Sequence, residues 1–448
     1  MSFLCLVSSA VLLGAVASAK NCVNVTVPVQ IDARQGQYDV PQLYSNFDAT
    51  QFAYNYTKQG SNFSDIALIG FQNINGLYNI SAKYCSPDAS SSPSSSAPVV
   101  QVLTHGIGFD KSYWDLPYNN YNYSYIDVAL ANGFHTVSID RFGIGNSSHA
   151  DPLNVVQAQA EVSALYDITM KLRAGTFPEV SAAFQKVVHV GHSFGSLQTY
   201  LLSAQHPNAT DGVALTGFSM NGTWVDMTIA SWNLRLASLN QPLRFGNTTI
   251  SRNRFSAGWF GTATVKAIAG VLSSVGIDLQ PYQIFEEIAT TEIANLINQY
   301  NASVAPVPQN LSSGYLTWPD LTTNIYSFLF TGYFDTGAAI FAESTKQPVT
   351  LGEIFTLPIG PKMSSFTGPA LVITGAEDNI YCGGDCYATG GQGSNIPEIS
   401  VAPVFPNASA FEAYIQPNTG HGINLHYNST AAYQVIQDWF KKNGLASA

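Results

Sequence analysis

Lys186–Tyr200 reads KVVHVGHSFGSLQTY. Val187, Val188 and Val190 form the apolar, β-branched run of a buried strand, and Leu197, Tyr200 and Leu201 recur behind it at helical spacing. Between the two, Gly191 and Gly195 flank Ser193. Strand, tight turn and helix is the setting in which a G-x-S-x-G pentapeptide presents its serine as a nucleophile. The turn crowds backbone against the flanking positions, so they must be glycine, and it leaves the serine strained and exposed. His189 falls within the strand and reads as a core histidine, whereas His192 reads as shaping the turn.

A serine hydroxyl is a poor nucleophile near neutral pH and needs an imidazole base, itself held in one tautomer by a carboxylate. Ala370–Gly375, ALVITG, is a predicted strand that runs into Ala376, Glu377 and Asp378. Asp378 is the predicted acid, with Glu377 adjoining it. His421, in NTGHGIN, is the predicted base because flanking glycines let a loop carry its ring over the serine. His426, in LHYNST, lacks such flanks. For the oxyanion, the residue after the nucleophile, Phe194, supplies one backbone donor. Val99–Gly106, VVQVLTHG, leads into His-Gly-Ile-Gly, where Ile107 is the predicted second donor and Gly108 the alternative. His105 reads as a brace for that loop, and Asp140 with Arg141 as a structural charge pair at the end of HTVSID.

The ordered set THGIG, DRFGIGNS, GHSFG, ITGAED and GHG resembles the α/β-hydrolase superfamily, and GHSFGSLQTYLLS with LTGFSMNGTW is similar to a group of secreted fungal members. The resemblance covers residues 99–219 and 366 to the C-terminus. It implies a Ser-His-Asp hydrolase with Ser193, His421 and Asp378 as the triad and Ile107 and Phe194 at the oxyanion site. No cofactor is expected, and no metal either, since the Cys382/Cys386 CxxxC pair has no second ligand pair near it. Epoxide and haloalkane hydrolases of this fold use a carboxylate nucleophile, so a serine argues against them. The expected reaction is cleavage of an ester or lactone of apolar, aromatic character through an acyl-enzyme. The alternatives are a serine peptidase of the same fold, although no acid cluster for a substrate amino terminus is visible in the cap, and a noncatalytic binding homologue.

Composition sets the surroundings of this chemistry. Only 10% of the 448 residues are charged and the net charge is −11. A surface this poor in Lys and Arg lacks the clusters that release counterions from nucleic acid, and no basic amphipathic face points to a membrane surface. Leu4–Val16 is apolar but too short to span a bilayer, and Ala17-Ser18-Ala19 follows it. A secretory signal peptide cleaved after Ala19 is expected, with a secreted mature protein. Thirteen N-x-Ser/Thr sites are candidate glycan acceptors: Asn24, Asn55, Asn62, Asn79, Asn122, Asn146, Asn208, Asn221, Asn247, Asn301, Asn310, Asn407 and Asn428. Cys5 leaves with the signal peptide; Cys22 with Cys85 and Cys382 with Cys386 are the favoured disulfides among three possible pairings.

The predicted fold class is α/β: a mostly parallel central sheet flanked by helices, with an inserted helical cap. Residues 20–85 read as short antiparallel strands that join the sheet, 86–98 as a Ser/Pro linker, and 99–219 as the first part of the core. Residues 220–365 read as the cap, with helical spacing over 284–300 and 325–342, and 366–448 as the rest of the core. Trp224, Trp232, Trp259, Phe260, Trp318, Phe328, Phe330 and Phe334 are cap aromatics, mostly expected in the cap's own core. Any that face the serine imply a hydrophobic or aromatic substrate.

Overall fold

The computed structural model describes residues 20–87, 98–180, 183–246, 308–358 and 363–446. The expected signal segment, most of the linker, Asn247, Asn301, Trp259, Phe260 and the helical spacing at 284–300 lie outside them.

Eight strands make one sheet: β1 (Asn21–Tyr38), β2 (Leu68–Ser86), β3 (Val99–Thr104), β4 (His135–Ile139), β5 (Lys186–His192) and β6 (Gly212–Thr216), then, after three short cap strands β7 (Arg235–Leu236), β8 (Tyr315–Thr317) and β9 (Val349–Thr350), β10 (Ala370–Gly375) and β11 (Phe411–Gln416). The spatial order is β1-β2-β4-β3-β5-β6-β10-β11. β1 with β2 and β2 with β4 are antiparallel, and every other pair is parallel. β3, β6 and β10 are buried at every position, as expected of strands covered on both faces. The carboxyl ends of β3, β5, β6 and β10 therefore meet in the middle of the sheet, which is where a site belongs in such a fold.

The amino-terminal region differs from the short strands expected. β1 and β2 are 18 and 19 residues long and pair along nearly their whole length. Val25, Val27, Val29, Ile31 and Ala33 alternate inward along β1, while Gln30 and Asp32 donate their amides to Asp167 and Ser163 of helix α4 (Ala158–Ala174). Between the two strands lie α1 (Asn46–Thr57), opened by a Ser45/Asp48 capping box, and the short α2 (Phe63–Ala67). Both favoured disulfides are present. Cys22–Cys85 joins directly opposed residues of β1 and β2, and Cys382–Cys386 closes a loop after β10. A bridge closing a loop as long as the first contributes about 2–4 kcal/mol.

Two further helices follow core strands: α3 (Tyr125–Ala131) before β4, and α5 (Phe194–Gln205), which leaves β5 directly. The cap departs from the purely helical expectation. Its described part holds short helices, including α6 (Val225–Ser231), and a three-stranded sheet in the order β7-β8-β9. Strands of two or three residues are too short to leave a periodic signal. The helical spacing over 325–342 resolves into two helices, Leu321–Phe328 and Thr336–Thr345, separated by an extended turn. Among the described residues, no helix is long and apolar enough to cross a membrane.

Candidate active site

Ser193 sits between β5 and α5 with φ 54° and ψ −117°, backbone that a non-glycine residue adopts only under tertiary constraint. The constraint is visible: its amide donates to the Thr216 carbonyl at 2.8 Å and its carbonyl accepts from Leu197 at 3.0 Å, so the turn is tied to β6 and to the helix. The serine is half-buried while its neighbours are buried. Gly195 allows α5 to cross the end of β3, since a Cβ there would lie 2.2 Å from the Thr104 carbonyl oxygen. Gly195→Ala is expected to force the helix off the strand and destabilise the protein by about 1–3 kcal/mol, read as a fall in urea midpoint. An unchanged midpoint would mean that the elbow is looser than described.

His421 is brought to the same place from β11's far end. Its Nδ1–H donates to Asp378 Oδ2 at 2.9 Å, and both side chains are fully buried. Asp378 follows β10 and accepts, on Oδ1, the amides of Ile380 and Tyr381 at 2.8 and 3.0 Å, while Thr374 donates its hydroxyl to Oδ2 at 2.6 Å. Burial alone would push this carboxyl up; His421, Thr374 and the Tyr381 amide outweigh it and hold it below its ordinary value. With Nδ1 committed as donor, the His421 lone pair lies on Nε2, which is buried and has no partner among the described residues. A Cβ on Gly106 would lie 2.9 Å from Ser193 Cβ, one on Gly217 would lie 3.2 Å from His421 Cε1, and both would touch the His192 ring. Ser193 and His421 thus border the same imidazole, whose centroid is 5.0 Å from that of His421.

The other candidates are used structurally. Glu377 accepts the Thr419 amide at 2.9 Å and makes no bond to His421. His426 accepts the amides of Phe330 and Gly420 on Nε2 and donates to Gly422 from Nδ1, which ties the His421 loop to the cap. His105 accepts the Arg141 amide and donates to Gly106, bracing its loop as expected. His189 lies between the hydroxyls of Thr169 and Thr210. His192 stacks on Tyr113 at 4.4 Å and meets Thr216 Oγ1. Asp140 and Arg141 do not pair with each other. Asp140 takes Lys111 and the Asn146 amide, while Arg141 turns the other way into Glu161 and Glu353. Successive residues leaving a strand point to opposite faces, which separates the two charges.

Buried neutral histidines carry a pH consequence. Burial lowers His105 and His189 to about 3 and His426 to about 4. Each stays uncharged in the fold but takes a proton on unfolding below its ordinary value near 6.5, so the unfolded state binds more protons and stability falls as pH drops. The slope is about 1.4 kcal/mol per pH unit for each such group between those limits. The thermal midpoint is expected to fall steadily from pH 7 to pH 5; a flat profile over that window would contradict the assignment.

Ile107 and Phe194 flank the serine from β3's end and α5's first turn, and neither amide has a hydrogen-bond partner among the described residues. Gly108, the alternative donor, has φ +82°, and a Cβ there would lie 1.9 Å from the Trp318 ring. Its carbonyl accepts from Gln347, so the cap holds this loop at two points. Trp318 packs on Phe328, and Phe328 lies 5.9 Å from His421. These two cap aromatics face the site. Trp232 stands behind Trp318, and Trp224, Phe330 and Phe334 are half-buried elsewhere in the cap. Trp318 and Phe328 are two of the cap aromatics named from the sequence, whereas Thr374 and Gln347 were not legible there; a polar residue inside the apolar run ALVITG was the signal for the first. No group of three or more metal-ligating side chains occurs among the described residues.

A profile of the α/β hydrolase family matches residues 101–431, and the chain belongs to that family. No curated protein sequence matches it. Among solved structures it is similar to a thermophilic esterase from Thermogutta terrifontis (12% identity, TM-score 0.40, covering 82% of this chain and 94% of that one). It is also similar to epoxide hydrolase A from Mycobacterium thermoresistibile (15%, 0.42, 81% and 95%) and to a bacterial membrane phospholipase A (13%, 0.41, 82% and 84%).

Proposed function

We propose that the chain is an exported serine hydrolase that cleaves carboxylic esters or lactones of apolar, aromatic small molecules. The observation that carries this is the hydrogen bond from His421 Nδ1 to Asp378, which leaves the Nε2 lone pair without a partner on a ring that packs against His192, the residue preceding the strained Ser193. In the forward step His421 Nε2 takes the Ser193 proton as Oγ attacks the carbonyl carbon. The oxyanion accepts hydrogen bonds from the Ile107 and Phe194 amides, and the tetrahedral species collapses as His421 returns the proton to the leaving alkoxide. Water, deprotonated by His421, then attacks the acyl-enzyme; the acid leaves and Ser193 recovers its proton. Asp378 stays ionised throughout and stabilises the imidazolium. Phe328 against the histidine, with Trp318 packed on Phe328 and over Gly108, favours an apolar substrate. No cofactor is needed for this cycle.

Export through a signal peptide cleaved after Ala19 is part of the proposal, supported by two disulfides and by exposed glycan acceptors such as Asn24, Asn62, Asn146 and Asn407. Asn428 is set apart from these, because its side chain is tied to Pro417 and Thr419 just before His421. The test is turnover of p-nitrophenyl esters of graded acyl length beside matched peptide anilides by protein secreted from a eukaryotic host. Ester cleavage well above anilide cleavage is expected. Anilide cleavage alone would replace the esterase with a peptidase.

A further inference from the structure

Beside the catalytic residues lies a second feature that the reaction above does not use. A cavity of about 520 Å³ opens between the α1/α2 arm and the start of the cap. Its inner wall is Phe218 and Tyr381, whose rings are 5.5 Å apart, and the Tyr381 ring is 5.7 Å from that of His421. Leu197, one helical turn beyond Ser193, also lines it. The chamber is therefore on the nucleophile's side of the sheet, separated from the histidine by one aromatic ring.

Its chemistry is uneven. Tyr38 and Tyr56 add aromatic walls, and Asp65 from α2 and Asp226 from α6 add two carboxylates, with no Lys or Arg among the lining residues. Neither carboxylate has a hydrogen bond or ion pair among the described residues, and both are exposed, so their charge at the mouth of the cavity is offset by solvent alone and not by a protein cation. Tyr381 is buried to 8% exposure, and its hydroxyl likewise has no partner among the described residues. Tyr56 and Asp226 line the same cavity, and the Tyr56 hydroxyl donates to the Ile354 carbonyl at 2.9 Å, which fixes that ring in the wall. Aromatic faces with uncompensated carboxylates make a site for an organic cation: the rings attract it through their quadrupoles and the carboxylates by charge. An anionic group of the same size would meet only repulsion.

We propose that this chamber receives the end of the substrate remote from the scissile bond, and that Asp65 and Asp226 select an ammonium-bearing group there over a carboxylate-bearing one. The inference deepens the hydrolase reading and rests on it for the word substrate. Asp65 comes from the amino-terminal arm and Asp226 alone from the cap, so the cap sequence by itself shows no pair of acids.

The test has a binding arm and a kinetic arm. In Ser193→Ala protein, phenylpropyltrimethylammonium is expected to raise the thermal midpoint and phenylbutyrate to leave it unchanged, the difference disappearing in D65N/D226N. Both aspartates are exposed at their outer faces, so the double variant should fold. With wild-type protein at low salt, an ester carrying the ammonium should exceed its carboxylate counterpart by about 10-fold in kcat/KM, mostly through KM, and the gap should shrink with salt and in D65N/D226N. Equal binding of the two ions, or a gap untouched in the double variant, would overturn the chamber assignment while neutral-ester turnover left the hydrolase reading standing. Ammonium binding that depends on both aspartates, without any ester turnover, would support the chamber and sink the hydrolase reading instead.

Discussion

Ser193→Ala is expected to lower kcat for any ester substrate by about 10⁵- to 10⁶-fold, because the nucleophile, base and acid act as one unit and loss of the nucleophile leaves only binding and the oxyanion donors. The fold should survive. The Ser193 backbone is held by Thr216 and Leu197, not by its hydroxyl, so the thermal midpoint should shift by no more than a few degrees. KM should change little, since Oγ contributes to bond making rather than to ground-state binding. An alanine variant retaining a tenth of wild-type turnover would place the chemistry elsewhere.

Asp378→Asn should lower kcat by about 10³- to 10⁴-fold while leaving the structure intact. An asparagine can still accept the Ile380 and Tyr381 amides on its remaining oxygen, so the loop after β10 keeps its cap. The atom facing His421 Nδ1 then becomes an NH₂ group, a donor against a donor. The imidazole is driven to the other tautomer, with its proton on Nε2, and can no longer take one from Ser193. The loss should be smaller than for Ser193→Ala, and raising the pH should not restore it. Glu377→Gln, a change in the adjacent acid that bonds only Thr419, should keep kcat within a few-fold of wild type. Equal losses in the two variants would remove the distinction between them.

The elbow was legible because its requirement is local. Two glycines, a strand and a helix within fifteen residues leave little freedom, and the close approaches at Gly195 bear out why a side chain cannot stand there. Asp378 and His421 were legible through strand patterning and flanking glycines, although their meeting across 43 residues needed the sheet order to bring β10 and β11 beside β6. What escaped was set by partners distant in sequence. The divergence of Asp140 and Arg141 depends on Lys111, Glu161 and Glu353, which adjacency cannot reveal. α1 was missed although Ala49, Phe52, Ala53 and Tyr56 recur at helical spacing behind a Ser45/Asp48 box, because the surrounding Asn and Gly turns suggested strands. The chamber belongs to the same class: Asp65 and Asp226 reach one cavity only because α1 packs against both α2 and α6.

The central claim is that one hydroxyl in the folded chain is activated by His421. Intact-mass measurement of the folded protein after exposure to a fluorophosphonate reads this most directly. One adduct per chain, mapped to Ser193, absent in Ser193→Ala and formed far more slowly in His421→Ala, is the predicted result; no adduct on folded protein, or one on another residue, would contradict it.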